Sequence, residues 1–259
     1  MERHDDKASG GPGIVDVQNG FMDSLVPALL LVHSPLVGPL TWELTAAQLR
    51  HEGQHVVVPS LTAVVDDHPP YYRKFAEAAA RALDLYGAHG PVVLVGHSGA
   101  GALLPAIAEV VGDDARGAVF VDALLPHPGS SWFDTAPTQL REQLAGPTRA
   151  GRLPPWNKWF PSDVFDTLVP DAGLRERFIA ELPTVPVAYF EEPAPNAPGW
   201  SATRCAYVCL SEAYTGAAEE AERRGWWVHR ENADHLALIT QPARIAGVIA
   251  RAVAAVADV

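Results

Sequence analysis

Cysteine, basic side chains and long apolar runs are what this chain has least of. Its 259 residues include two cysteines, Cys205 and Cys209, four positions apart in an apolar run. Strand alternation puts both on one face but too far apart to bridge comfortably, so they read as reduced core thiols. Without further cysteine or histidine at ligand spacing they suggest no zinc site. Lys and Arg total 19 against 31 Asp and Glu, a net charge of -12. Phosphate backbones and anionic lipid surfaces bind clustered cations, so neither nucleic acid nor membrane is an expected partner. No stretch approaches the roughly 18 consecutive apolar residues of a membrane helix. The first twenty residues are polar, acidic and glycine-containing rather than basic and then apolar, unlike a secretory signal. Residues 1–25 therefore read as a disordered leader, and the expected location is the cytoplasm. No fixed-period repeat or other low-complexity tract is evident.

What is present is ordinary globular composition, 48% hydrophobic and 19% charged, enough to bury a sizeable core. Apolar runs bounded by turn residues alternate with helical patterns. Strands are expected over 28–33, 54–58, 91–96, 117–122, 204–210 and 226–230, with helices over 40–52, 71–86, 100–111, 216–224 and 241–256. This alternation predicts an α/β fold, a mostly parallel twisted sheet of about six strands with helices on both faces. The rhythm breaks over 126–201, where prolines crowd together with Trp132, Trp156, Trp159 and Trp200. That composition predicts a cap inserted between core segments 26–125 and 202–259.

The run Val95-Gly96-His97-Ser98-Gly99-Ala100-Gly101 places a serine between a buried strand and a helix, where the chain must turn sharply and only small neighbours fit. This is the context of a nucleophile elbow, with a helix N-terminus favouring negative charge beside Ser98. A phosphate-binding turn would want the lysine of a P-loop or a G-x-G-x-x-G spacing, and neither is there.

Together with Leu31-Val32-His33 and Asp234-His235-Leu236-Ala237-Leu238, these residues resemble the α/β-hydrolase superfamily, and within it the plant-type methylesterase and hydroxynitrile lyase branch. The resemblance covers the chain from residue 28 onward except the cap. It implies His235 as general base, since the chain order Ser, acid, His puts the base in the loop before the last helix. Two carboxylates fit as its partner. Glu212 follows the strand at 204–210, where the methylesterase branch carries an aspartate. Asp122 ends the strand after the nucleophile helix, a position similar to that of the acid in haloalkane dehalogenases and some lactonases. His33 and His97 match positions that line or brace the pocket, and Asp234 reads as structural.

The resemblance also implies two oxyanion donors, the N–H of Gly99 and one from the loop after the first strand. That loop reads His33-Ser34-Pro35-Leu36, and proline has no N–H to give. Leu36 is the expected substitute, with the Ser34 hydroxyl, or a deficient hole and chemistry other than ordinary ester hydrolysis, as alternatives. In the cap, Trp132 and Trp159 head a set of aromatics, with Phe133, Trp156, Phe160, Tyr189 and Phe190, that either roof a hydrophobic pocket or pack the cap onto the sheet. Glu191 and Glu192 are candidates to repel anionic substrates, or a solvated turn. The expected activity is serine hydrolysis of a small hydrophobic ester or thioester through an acyl-enzyme, with a small-molecule substrate and no metal or organic cofactor. Two alternatives are a lyase or cyclase using the same Ser and His for proton transfer, and a ligand-binding module with little turnover.

Overall fold

A computed structural model describes residues 26–257; the expected leader lies outside them but for residue 26 at its edge. Short strands alternate with helices along the chain. In order it forms β1 (Ala28–Val32), α1 (Leu40–His51), β2 (Val56–Val57), α2 (Tyr71–Leu85), β3 (Val92–His97), α3 (Leu104–Val111) and β4 (Ala115–Val121). After a long excursion come β7 (Arg204–Cys209), α9 (Thr215–Arg223), β8 (Trp227–Arg230), α10 (Ala237–Thr240) and α11 (Pro242–Val256). The sheet has six strands, all parallel, in the order β2-β1-β3-β4-β7-β8.

Burial on both faces explains why the central strands are continuous apolar runs. Leu29 and Leu31 of β1 pack with Trp42, Ala46 and Leu49 of α1 and with Ile245 and Ile249 of α11. Leu30 and Val32 point the other way, toward Tyr72, Phe75 and Ala79 of α2 and the α3 residues Leu104 and Ile107. The helix expected over 100–111 is divided: a 3₁₀ turn spans Ser98–Leu103, and α3 begins only at Leu104. Pro105 lacks the N–H that would extend the α-helical ladder back toward the elbow. Cys205 and Cys209 sit in β7 as free, buried thiols.

Register places the chemistry. His97 pairs with Val121 across β3 and β4, and Val121 pairs with Val208 across β4 and β7. Ser98 and Asp122 are thus the next residues on adjacent strands, at the sheet's C-terminal edge where ligands bind in open α/β sheets.

Between β4 and β7 the chain builds α4 (Trp132–Thr135), α5 (Thr138–Ala145), β5 (Arg152–Leu153), α6 (Asp163–Leu168), α7 (Ala172–Ala180), β6 (Val185–Pro186) and α8 (Val187–Glu191). β5 and β6 pair as a small antiparallel sheet of their own. Two glutamates fasten this segment to the core. Pro39 and Pro70 stand at the N-cap positions of α1 and α2 with no side-chain acceptor to offer. Glu181 accepts from the Leu40 N–H at 2.9 Å, and Glu192 accepts from the N–H groups of Tyr71 and Tyr72 at 2.7 and 3.0 Å. The helix ends so satisfied carry a partial positive charge that favours a carboxylate. Glu192, considered above as a filter against anions, is instead a helix cap.

Gly101 shows how tightly the elbow is built, because a Cβ there would lie 2.0 Å from the Leu124 carbonyl oxygen. Backbone cannot yield as a side chain can, so Gly101→Ala is expected to cost about 3 kcal/mol or more. The readout is a urea midpoint lowered without a change in slope; an unchanged midpoint would contradict the packing described.

Candidate active site

The turn after β3 holds Ser98 at φ 57°, and Asp122 after β4 adopts φ 44°. Both are non-glycine residues in the left-handed region, which costs strain of order 1 kcal/mol or more and persists where surroundings enforce it. At Ser98 the enforcement is crowding. A Cβ on Gly99 would stand 2.8 Å from Ser34 Oγ, and one on Gly96 would meet Leu104 at 3.0 Å. At Asp122 it is hydrogen bonding: the Asp122 N–H donates to Val208 O at 2.7 Å. Beside it the Tyr207 hydroxyl donates to Ala123 O and accepts from Ala123 N–H, at 2.7 and 3.1 Å.

The loop after β8 carries His235 to these two residues. Its Nε2 lies 3.2 Å from Ser98 Oγ and its Nδ1 lies 2.7 Å from Asp122 Oδ2. A carboxylate only accepts, so Nδ1 carries the proton and Nε2 presents its lone pair to the serine hydroxyl. The Asp122 side chain is fully buried, and every lone-pair direction is used. Oδ1 accepts from the N–H groups of Leu210 and Ser211 at 2.8 and 3.0 Å, and Oδ2 accepts from the Ser211 hydroxyl at 2.6 Å as well as from His235. Burial pushes the carboxyl upward, but the bond and charge of His235 with the donors from Ser211 and Leu210 outweigh it and hold Asp122 below its ordinary value. It stays ionised.

Of the two carboxylates that fit the sequence, Asp122 is the one on the imidazole. Glu212 is exposed, in a 3₁₀ turn over Glu212–Tyr214. The end of β7 contributes no acid to His235; Leu210 and Ser211 instead donate to the acid supplied by β4.

The flanking histidines brace rather than react. His33 is fully buried; its Nδ1–H donates to Ser34 O at 2.9 Å and its Nε2 accepts from Leu61 N–H at 3.0 Å. Burial lowers it to about 4. His97 donates from Nε2 to the His235 carbonyl at 3.0 Å, and its ring lies 4.5 Å from that of His235. Burial, then the nearby His235 charge, drives it well below the ordinary histidine value, so it remains a neutral strut. Both side chains are buried.

Leu36 is also redirected. Its N–H donates to Ser34 Oγ at 3.3 Å, so the amide expected to face an oxyanion points at a side chain of its own loop. Of the two arrangements open to the tryptophans of residues 126–201, the contacts show packing for Trp132 and Trp159. Trp132 packs on Phe133 and Phe190 at 5.6 and 5.1 Å between centroids, and Trp159 lies 6.1 Å from Phe190 with its indole N–H donating to Pro154 O at 2.9 Å. These rings join the apolar cluster that also holds Tyr72 and Phe75 of α2. The aromatics on His235 are Trp156, edge-on at 5.9 Å, and Tyr214, stacked at 5.1 Å with planes 2° apart.

Residues 29–248 match the alpha/beta hydrolase family along most of the chain. The chain belongs to that family. Solved structures agree in fold. One is an extracellular alpha/beta-hydrolase from a Paenibacillus species, described as sharing structural and functional homology with tobacco salicylic acid binding protein 2. It is 20% identical with a TM-score of 0.70, over 87% of this chain and 98% of that one. A pyrethroid hydrolase from Sphingobium faniae is 20% identical with a TM-score of 0.67, over 87% and 96%. Polyneuridine aldehyde esterase is 18% identical with a TM-score of 0.67, over 87% and 98%. No curated protein sequence matches the chain. Among the described residues no helix is long and apolar enough to cross a membrane.

Ser211 and Tyr214 were not legible as site residues. Ser211 carries no motif of its own, and Tyr214 is one aromatic in a loop whose direction depends on the turn after β7.

The neutral, buried His33 gives a pH prediction. The unfolded chain takes a proton near 6.5 that the folded chain rejects until about 4. Stability from this group is therefore complete above the unfolded value and is lost as pH falls through that window, by roughly 3 kcal/mol in full. His97 acts in the same direction. His33→Gln is expected to flatten the fall in urea midpoint between neutral and acid pH, and an identical slope would contradict the assignment.

Proposed function

We propose that this protein is a serine hydrolase that cleaves a small hydrophobic carboxylic ester or thioester through an acyl-enzyme. The observation that carries the reading is the continuous relay Ser98 Oγ, His235 Nε2, His235 Nδ1, Asp122 Oδ2 with steps of 3.2 and 2.7 Å. In this reading His235 takes the Ser98 proton as Oγ attacks the acyl carbon, then gives it to the leaving oxygen or sulfur. Water follows the same route in reverse to release the acid. Asp122 holds the imidazole in the tautomer the first step needs.

The oxyanion would rest between two donors. Gly99 stands in the first turn of a helix, where backbone N–H groups have no intrahelical partner. The second donor is the Ser34 hydroxyl. Its oxygen takes the Leu36 N–H and lies 2.8 Å from where a Cβ on Gly99 would stand, so its own proton remains to point at the substrate carbonyl. Apolar rings at the site, Trp156 among them, support a hydrophobic substrate of modest size. The two unpaired, buried thiols support a cytoplasmic location.

A hydroxyl where an amide is usual also keeps a lyase reading in view, in which Ser98 and His235 move protons without an acyl-enzyme. Turnover of p-nitrophenyl esters with stoichiometric labelling of Ser98 by a fluorophosphonate, both lost in Ser98→Ala, is the expected result. Equal inertness of wild type and variant would end the hydrolase reading. Asp122→Asn should lower kcat by about 10⁴-fold, whereas Glu212→Gln should stay within about threefold; the reverse order would move the acid to Glu212. Ser34→Ala should lower kcat by roughly 10²-fold or more with little change in KM, the signature of a lost oxyanion donor.

A further inference from the structure

Tyr214 is a polar group at the nucleophile that neither the relay nor the oxyanion loop accounts for. Its hydroxyl lies 3.4 Å from Ser98 Oγ, and its ring lies parallel to His235 at 5.1 Å. Ser98 gives its proton toward His235, so the phenol is the donor in this contact and Ser98 Oγ the acceptor. A separation of 3.4 Å is long for such a bond, as catalytic contacts often are before substrate closes the site. Burial pushes the phenol up to about 12 against the lowering effect of its bond to Ser98. At neutral pH it therefore keeps its proton and acts as a neutral donor.

Sheet order decides which atom of the substrate this donor meets. The strands run β1, β3, β4, β7. The loop bearing Ser34 follows β1, on one side of Ser98. Asp122 follows β4 and Tyr214 follows β7, both on the other side. A carbonyl oxygen lodged between Gly99 and Ser34 points toward β1, away from Tyr214. The group expelled from the tetrahedral intermediate must face His235 Nε2 to receive a proton, and that is the side where the phenol runs alongside the imidazole.

We propose that Tyr214 is a further catalytic residue that donates a hydrogen bond to the leaving-group oxygen, adapting the site to esters of poorly acidic alcohols. The proposal rests on the hydrolase reading above. In acylation the Ser98 Oγ–acyl bond forms and the acyl–oxygen bond breaks, its electron pair passing to the departing oxygen. The proton that His235 took from Ser98 moves to that oxygen, while Tyr214 keeps its own and lends only the hydrogen bond. An alkoxide, which develops much charge, gains most from that bond; p-nitrophenolate, already stable, gains little. The stacked ring also faces the imidazolium formed in the same step, a cation–aromatic contact that Phe retains.

The test is Tyr214→Phe, read as the ratio of kcat/KM for a methyl or ethyl ester to that for the p-nitrophenyl ester of the same acid. This parameter reports the steps through acylation, and because one enzyme sample supplies both values, any loss of folded protein cancels. The ratio is expected to fall at least tenfold, the alkyl ester losing about tenfold to a hundredfold more than the aryl ester. Tyr214→Leu, which lacks the ring as well, should show the same fall in ratio and serves if the Phe variant does not fold. A ratio equal to that of wild type overturns the proposal while leaving the hydrolase reading intact. Wild-type protein that hydrolyses neither ester and is not labelled at Ser98 overturns both.

Discussion

The bond from His235 Nδ1 to Asp122 is the constraint on which the rest of the site depends. It fixes the tautomer, and thereby which nitrogen faces Ser98. A charge can be held there, at a fully buried carboxylate, because four donors converge on it: an imidazole, a hydroxyl and two backbone N–H groups. An unpaired carboxylate in that place would be protonated, since desolvation disfavours the charged form. Two strands share the task. β4 delivers the acid, and the chain leaving β7 delivers three of its donors.

Much of the layout could be read from the residues alone. The strand–turn–helix around Ser98 needed only local information, because apolar strand, small residues and helix are adjacent in sequence. The parallel sheet followed from runs too apolar to leave either face wet. Element ends shifted by a few residues, and the elbow helix divided where Pro105 withholds an N–H.

Other parts were not legible because they depend on register. Asp122 and Glu212 both end strands near His235, and no local pattern distinguishes them. The pairing of Val121 with Val208 turns Leu210 and Ser211 inward and leaves Glu212 outside. Similarly, Pro35 signalled that the oxyanion loop departs from the usual form, but not that Leu36 would spend its N–H on Ser34. The aromatic composition of residues 126–201 was plain. Which rings face inward was not, since Trp132 and Trp159 differ from Trp156 only in what folds around them.

The two glutamates that reach from the segment between β4 and β7 to α1 and α2 tie it to the core in a particular way. Both helices begin at prolines that cannot cap themselves, so they borrow acceptors from a segment more than a hundred residues away in sequence. Lifting that segment would fray the first turns of the very helices that shoulder the sheet. Two helices that cover the sheet thus owe the order of their first turns to residues that fold only after the fourth strand has been laid down.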